Sequence, residues 1–265
     1  MATTKNMRYP AREGPPSLRS RKMHFEDYQG DGHRLPANIF SALFDKNMAP
    51  IIGGGHSSAV WSITITPGFT PTVGGTGDVI ADAVAGGIRI TTPSDDDFNV
   101  NLESILAVTP TTGKWYGMVA RIVASDATGI GFKLGLGNSQ ALPFTTNYTD
   151  CVVISKAIAS ASVLGQCRGN SGTAADSASL GTLSTTEVEV GFAVYVHATE
   201  AQGYWSYKTA AADEPTFTAF TSDQNAQVAL LLTTPTTCYW NINATGVTAT
   251  TPTLDLVSFI AGGDR

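Results

Sequence analysis

The sequence predicts an all-β fold, a two-sheet jelly-roll sandwich preceded by an extended N-terminal arm and one short helix. Three observations carry that expectation. From Ile130 to Gly137, Ile130, Phe132, Leu134 and Leu136 alternate with Gly131, Lys133, Gly135 and Gly137, the period-two pattern of a half-buried strand. Val188 to Val196 repeats the pattern, with Val188, Val190, Phe192, Val194 and Val196 set against Glu189, Gly191, Ala193 and Tyr195. Turn-forming residues separate the apolar runs, as in Ser125-Asp126-Ala127-Thr128-Gly129, where Asp, Thr and Gly suit a tight reversal. Lys114–Gly137 and Val188–Lys208 therefore read as two hairpins, each with one apolar face, and two such faces close on each other as a sandwich.

The chain divides by composition. Residues 1–22 hold six basic side chains (Lys5, Arg8, Arg12, Arg19, Arg21, Lys22) against Glu13, a net of +5. The other 243 residues carry 10 basic and 21 acidic side chains, a net of −11. A basic arm on an acidic body is a two-part molecule, and the overall charge of −6 argues against nucleic acid as the partner of the body. We take residues 1–56 as the arm and 57–265 as the sandwich. In the arm, Pro10, Pro15, Pro16 and Pro36 exclude long helix, while Tyr9, Leu18, Met23, Phe25, Tyr28 and Leu35 recur along it. Such anchors suit docking on a partner, with ordering on contact. The expected partner-binding set is Arg8, Tyr9, Arg12, Leu18, Arg19, Arg21, Lys22, Phe25 and Tyr28.

A helix is expected at about 37–48. Ile39 with Leu43 and Phe40 with Phe44 repeat at i, i+4, Asn38 suits the cap, and Pro50 with Gly53-Gly54-Gly55 ends it. It is short and must pack on the sandwich or on a neighbouring subunit. Gly53–Ser57 lacks the Gly-Lys-Ser/Thr ending of a P-loop and reads as a hinge.

Beyond it the expected strands are Val60–Thr66, Ile88–Thr91, Phe98–Leu102, the two long stretches above, Cys151–Ile154, Val228–Leu232, Cys238–Ile242 and Leu254–Ile260. Leu254, Leu256 and Ile260 fall on one face of the last and Val257 and Phe259 on the other, so it should lie centrally. Ala157–Leu183 is rich in Ser, Ala and Gly and shows little pattern.

Lys114-Trp115-Tyr116, Val119-Ala120-Arg121-Ile122, Ser125-Asp126-Ala127-Thr128 and Gly131-Phe132-Lys133-Leu134-Gly135-Leu136 together resemble a pattern in the concanavalin A-like, laminin-G-like jelly rolls of tailed-bacteriophage virion proteins. Val190-Gly191-Phe192 and Tyr204–Tyr207 are similar to a later hairpin of such domains. The resemblance implies a non-enzymatic virion structural protein. A capsid decoration or cement protein is expected, assembled in a host cytoplasm and fastened through its arm to the major capsid protein or another virion protein. A homotrimer is favoured, with no membrane and no nucleic-acid partner. The alternative is a carbohydrate-binding or receptor-recognition module of a head fibre or tail, which predicts exposed aromatics near one rim.

Candidate chemistry is sparse. Glu187 and Glu189 share a strand face, as a retaining glycosidase pair would need, but Val190, Gly191 and Phe192 follow instead of a further acid; two solvated charges are expected, and no catalytic residue. Asp95, Asp96 and Asp97 form the one acidic run with the hard oxygens calcium takes; no EF-hand pattern surrounds them, a solvated turn is expected, and no cofactor or metal is assigned. His24, His33, His56 and His197 show no metal spacing. Cys151, Cys167 and Cys238 are odd in number and read as free core thiols. Trp115, Tyr116, Tyr204, Trp205, Tyr207, Tyr239 and Trp240 are expected mainly in core or interface, with a sugar platform as the rival reading. The N-terminal stretch lacks the apolar segment of a signal peptide.

Overall fold

The computed structural model describes residues 40–42, 69–74, 79–82, 88–91, 99–138, 147–233, 237–246 and 252–263. Alternation of apolar and small or polar residues builds two antiparallel sheets. Sheet I runs β14 (Thr216–Ala219), β13 (Gln202–Thr209), β12 (Val188–Val196), β6 (Lys114–Ala124), β16 (Thr253–Gly263), β4 (Ile88–Thr91) and β3 (Val79–Asp82), with β1 (Phe40–Ala42) also on β16. Sheet II runs β10 (Ala175–Asp176), β9 (Ser162–Arg168), β8 (Cys151–Lys156), β7 (Ile130–Asn138), β15 (Cys238–Gly246), β5 (Asn99–Val108) and β2 (Phe69–Gly74), with β11 (Gly181–Thr182) also on β9. One helix, α1 (Ser222–Leu230), joins β14 to β15 among the described residues.

The sheets meet through the residues that alternation picked out. Met118, Ala120, Ile122, Val190, Phe192, Val194 and Trp205 of sheet I face Phe132, Leu134, Leu136, Val152, Ile154, Trp240 and Ile242 of sheet II in one buried cluster. Phe192 ties the layers, 5.9 Å from the Trp205 ring on its own sheet and 6.3 Å from Trp240 on the other. Full burial of such side chains stabilises by about 1.5–3 kcal/mol each.

Four expectations change. First, Lys114–Gly137 is not a hairpin. β6 pairs with β12 and β16, while β7 pairs with β8 and β15. The turn is an arch that carries the chain from one sheet to the other. Asp126 Oδ1 accepts from the backbone of Thr128 at 2.9 Å and Gly129 at 2.8 Å, and Ser125 bonds to Thr253 in both directions, which ties the arch to the start of β16. Val188–Lys208 is a true hairpin, with Val188 opposite Thr209 and Tyr195 opposite Gln202.

Second, β16 is central as expected, but its faces are not those of simple alternation. Leu256 pairs with Ile122 and Ser258 with Arg121, so Val257 is an extra residue. That bulge flips the parity, and Leu254, Leu256, Phe259 and Ala261 all reach the core.

Third, Val228–Leu232 is not a strand. Val228 and Leu230 lie in α1, which opens on a capping box: Thr221 accepts from the Gln224 backbone and the Gln224 side chain from that of Thr221.

Fourth, Phe40–Ala42 does not continue a helix over 37–48. It forms β1, antiparallel to β16, with Phe40 opposite Ala261 and Ala42 opposite Phe259. β4 covers only Thr253–Leu256 of that edge, and backbone pairing along the remainder satisfies donors and acceptors that a short isolated helix stabilises poorly. Ile39, Leu43 and Phe44 lie outside the described residues, as do the arm residues Arg8, Tyr9, Arg12, Leu18, Arg19, Arg21, Lys22, Phe25 and Tyr28, the strand expected at Val60–Thr66, and Asp95, Asp96 and Asp97.

Candidate functional site

Two surfaces collect side chains that core packing does not explain. The first is a rim of sheet I. Because Phe192 and Val194 point inward, Ala193 and Tyr195 point outward, and register sets Tyr195 between Trp115 of β6 and Gln202 of β13. The next row is Gly117, Ala193 and Tyr204. The Trp115 and Tyr195 rings lie 5.3 Å apart at 39°, and His197 stacks on Tyr195 at 5.8 Å and 6°. Trp115, Tyr195, His197 and Tyr204 are half-buried, whereas Gly117 and Ala193 of the neighbouring row are buried. The result is a cluster of aromatic side chains beside a row of small residues. His197 is held by its ring nitrogen: Nδ1 accepts from the backbone of Glu200 at 3.0 Å and Thr199 at 3.3 Å.

The second surface is on sheet II. A groove of about 540 Å³ is lined by Asn147, Gln166, Arg168, Ser171, Gly172, Thr173 and Ala174. Its rim is built at some conformational cost. Asn170 and Ser171 both take positive φ, 50° and 57°, a region non-glycine residues rarely occupy. Surrounding bonds impose it: Asn170 N donates to Asp150 Oδ1 at 2.7 Å, Ser171 N to Thr149 O at 3.0 Å, and Gly169 N to Gln227 Oε1 of α1 at 3.1 Å. Arg168 clamps the same turn, its three guanidinium nitrogens donating to backbone carbonyls: Nε to Gly172 O at 2.7 Å, Nη1 to Tyr148 O at 2.8 Å and Nη2 to Ser171 O at 3.4 Å.

Behind the groove, the outward face of sheet II is polar yet buried. Lys133 is 8 % exposed, and its Nζ donates to Asn147 Oδ1 at 3.0 Å. Desolvation, with the nearby Arg168 charge as a lesser cause, pulls its pKa below the ordinary lysine value. Tyr148 lies flat over Gly137, where a Cβ would come within 2.9 Å of the ring, and its hydroxyl accepts from Asn243 Nδ2 at 2.8 Å. Asn241 Nδ2 donates to Gly137 O at 3.2 Å and Tyr239 O at 2.8 Å.

The remaining sequence candidates find places. Glu187 accepts from Arg121 at 2.5 and 2.9 Å on the outer face of sheet I. Glu189 stands opposite Arg121 and Lys208. Glu187 is thus ion-paired, and Glu189 has two cations in register beside it. Cys151, Cys167 and Cys238 are free and buried, and burial pushes the Cys151 thiol up to about 12 and the other two up as well. No group of three or more His, Cys, Asp or Glu that could hold a metal occurs among the described residues. Of the expected aromatics, Trp205, Trp240, Tyr116 and Tyr207 are core, while Trp115, Tyr204 and Tyr239 are half-buried. Sequence reasoning passed over Tyr195 and His197 as platform residues, although alternation already put Tyr195 on the outer face. It missed the groove residues, which lie mostly in the patternless stretch 157–183.

No protein-family model matches the chain, and no curated protein matches it in sequence. Solved structures do match in fold. Lectin UEA-II complexed with galactose aligns with TM-score 0.52 at 10% identity, over 86% of this chain and 100% of that one. The Emp47p carbohydrate recognition domain aligns with 0.52 at 9%, over 88% and 100%. Protein SO2946 of unknown function from Shewanella oneidensis MR-1 aligns with 0.53 at 13%, over 95% and 96%. At such identities the likeness is one of fold: this chain is a concanavalin-like, legume-lectin-like β-sandwich.

Proposed function

We propose that the chain is a non-catalytic carbohydrate-binding module whose ligand packs on the sheet I rim. The carrying observation is the half-buried Trp115–Tyr195 pair, with the small residues Gly117 and Ala193 in the row beside it. A pyranose has an apolar C–H face and a polar edge. Flat, rigid aromatic rings match the face, and their own polar tips, with Gln202 in the same row, suit the edge. The fold shared with a galactose-bound lectin and a carbohydrate recognition domain supports the reading without naming a sugar. A glycan array followed by calorimetry tests it. The Trp115→Ala/Tyr195→Ala variant is expected to bind its best glycan at least about tenfold more weakly, the order of one lost stacking contact, with an unchanged fold by circular dichroism. No binding on a broad array, or equal binding by the variant, defeats the proposal.

The charge split of the sequence favours a second, compatible reading: attachment of this module to a virion shell. In it the basic arm, net +5 over residues 1–22, docks on the major capsid protein or another virion protein, and a homotrimer multiplies weak contacts. Since Phe40–Ala42 pairs with β16, the informative truncation removes residues 1–36 only. It is expected to leave a folded body that no longer binds shells; undiminished shell binding refutes the attachment.

A further inference from the structure

The sheet II groove has the marks of a second binding site. Its volume, about 540 Å³, falls within the range of small-molecule sites, roughly 300–1,000 Å³. It is preorganised. Asn170 and Ser171 hold a left-handed pair that Asp150, Arg168 and the helix residue Gln227 keep in place, and Gly172 is packed so closely on Gln227 that a Cβ would lie 2.9 Å from Oε1. Backbone strain that is held this firmly clusters at ligand clamps. Its lining combines an amide at Gln166 with hydroxyls at Ser171 and Thr173, and those two hydroxyls make no hydrogen bond among the described residues.

Its charge is unlike that of the rest of the molecule. The chain is net −6, yet no carboxylate lines the groove and Arg168 does. Two acids stand beside it: Asp150 Oδ1 holds the Asn170 backbone and Oδ2 the Thr149 hydroxyl, and Asp176 Oδ1 accepts from the lining Gln166 Nε2 at 2.8 Å, which leaves Gln166 Oε1 to meet a ligand hydroxyl. Lys133 stands behind Asn147, nine-tenths buried, so its ammonium adds positive potential with little solvent to screen it.

We propose that this groove binds a carboxylate-bearing monosaccharide unit, a hexuronate, with its carboxylate towards Arg168 and its hydroxyls on Gln166, Ser171 and Thr173. The choice of a sugar acid rests on the carbohydrate-binding reading above; the site itself is separate from the aromatic rim. The test is a two-dimensional amide NMR titration of the full chain with glucuronate and galacturonate, and with glucose and galactose as neutral controls. Saturable shifts at Gln166 and Ser171–Ala174 are expected with the uronates. They should weaken with added salt and be about tenfold weaker for the neutral sugars, the loss of one charge-assisted hydrogen bond. Thr173→Trp, a substitution at an exposed rim position, should abolish them by filling the groove while glycan-array binding through the rim persists. Absent uronate shifts, equal shifts with neutral sugars, or shifts that survive Thr173→Trp overturn the assignment. If array binding is seen and the groove stays silent, this site alone fails; if no saccharide engages either surface, the parent reading fails with it.

Discussion

Lys156 shows how a single side chain can set itself against its surroundings. It is 1 % exposed and donates to the Ile130 carbonyl, and desolvation lowers its pKa from 10.5 to about 8, with Asp126 opposing. Between those values the unfolded chain keeps a proton that the folded chain has released, so this residue makes stability rise with pH from about 8 to 10.5. The buried thiols act the other way. Their raised pKa values keep them protonated in the fold while the unfolded thiols ionise near 9, so stability falls above that pH. Comparing Lys156→Met with the wild type cancels the thiols. The variant's relative stability is expected to fall by about 2 kcal/mol from pH 7 to pH 10, read by urea melts; a pH-independent difference contradicts the burial argument. The thiols predict their own chemistry. Cys151 lies opposite Arg168 and Val152 opposite Cys167, which puts Cys151 and Cys167 on opposite faces of sheet II. Ellman's reagent should titrate three thiols after unfolding and almost none before. Gly165 marks the closest approach to the core, since a Cβ there would lie 2.2 Å from the Trp205 ring. Gly165→Ala is expected to cost about 2–3 kcal/mol by overpacking, seen as a lowered urea midpoint.

At the scale of elements, α1 is the case where local chemistry overrode an apolar run. Val228, Leu230, Leu231 and Leu232 read as a strand core, but Thr221 and Gln224 form the box that starts a helix seven residues earlier. Gln224 has a second duty. It is fully buried, and its Oε1 accepts from Trp205 Nε1 at 3.2 Å. Thr221→Ala should therefore lower stability by about 1 kcal/mol. Gln224→Leu should cost about 2–3 kcal/mol, because it also strands a buried indole N–H. Equal effects from the two variants, in denaturant melts, would show that the tryptophan bond contributes nothing. β16 teaches a related lesson about periodicity. Strict alternation assigned Leu254 and Phe259 to opposite faces, and one bulge at Val257 brought both to the core. A bulge leaves no composition signal in an apolar strand, so this parity was not legible before the pairing was known.

For the molecule as a whole, the topology is strongly non-local. β6 lies between β12, some seventy residues later, and β16, near the described C-terminal end, and Arg89 of β4 holds Asp255 of β16 through two 2.6 Å bonds. Folding should accordingly be slow, on the order of milliseconds to seconds, as measured by stopped-flow tryptophan fluorescence; microsecond folding is incompatible with this order of strands. The same topology places the two candidate binding surfaces on different sheets. The aromatic rim needs β6, β12 and β13 side by side, and the groove needs β9, the turn after it and the chain before β8.

Alternation alone, read along Ile130–Gly137 and Val188–Val196, determined that this chain is a β-sandwich and which residues of those two strands fill it, because burial on one face of a strand imposes period two wherever the strand goes. Whether Lys114–Gly137 closed as a hairpin or arched between sheets was decided only by the fold. A strand with one apolar face packs equally well in either arrangement, and the choice falls to partners elsewhere in the chain, β12 and β16 for β6 and β8 and β15 for β7. The same holds for both surfaces. Trp115 and Tyr195 are eighty positions apart, and the groove joins Asn147, Gln166 and Arg168 to a Ser, Gly, Thr and Ala turn whose meaning lies in turn geometry and backbone bonds, not in hydrophobicity.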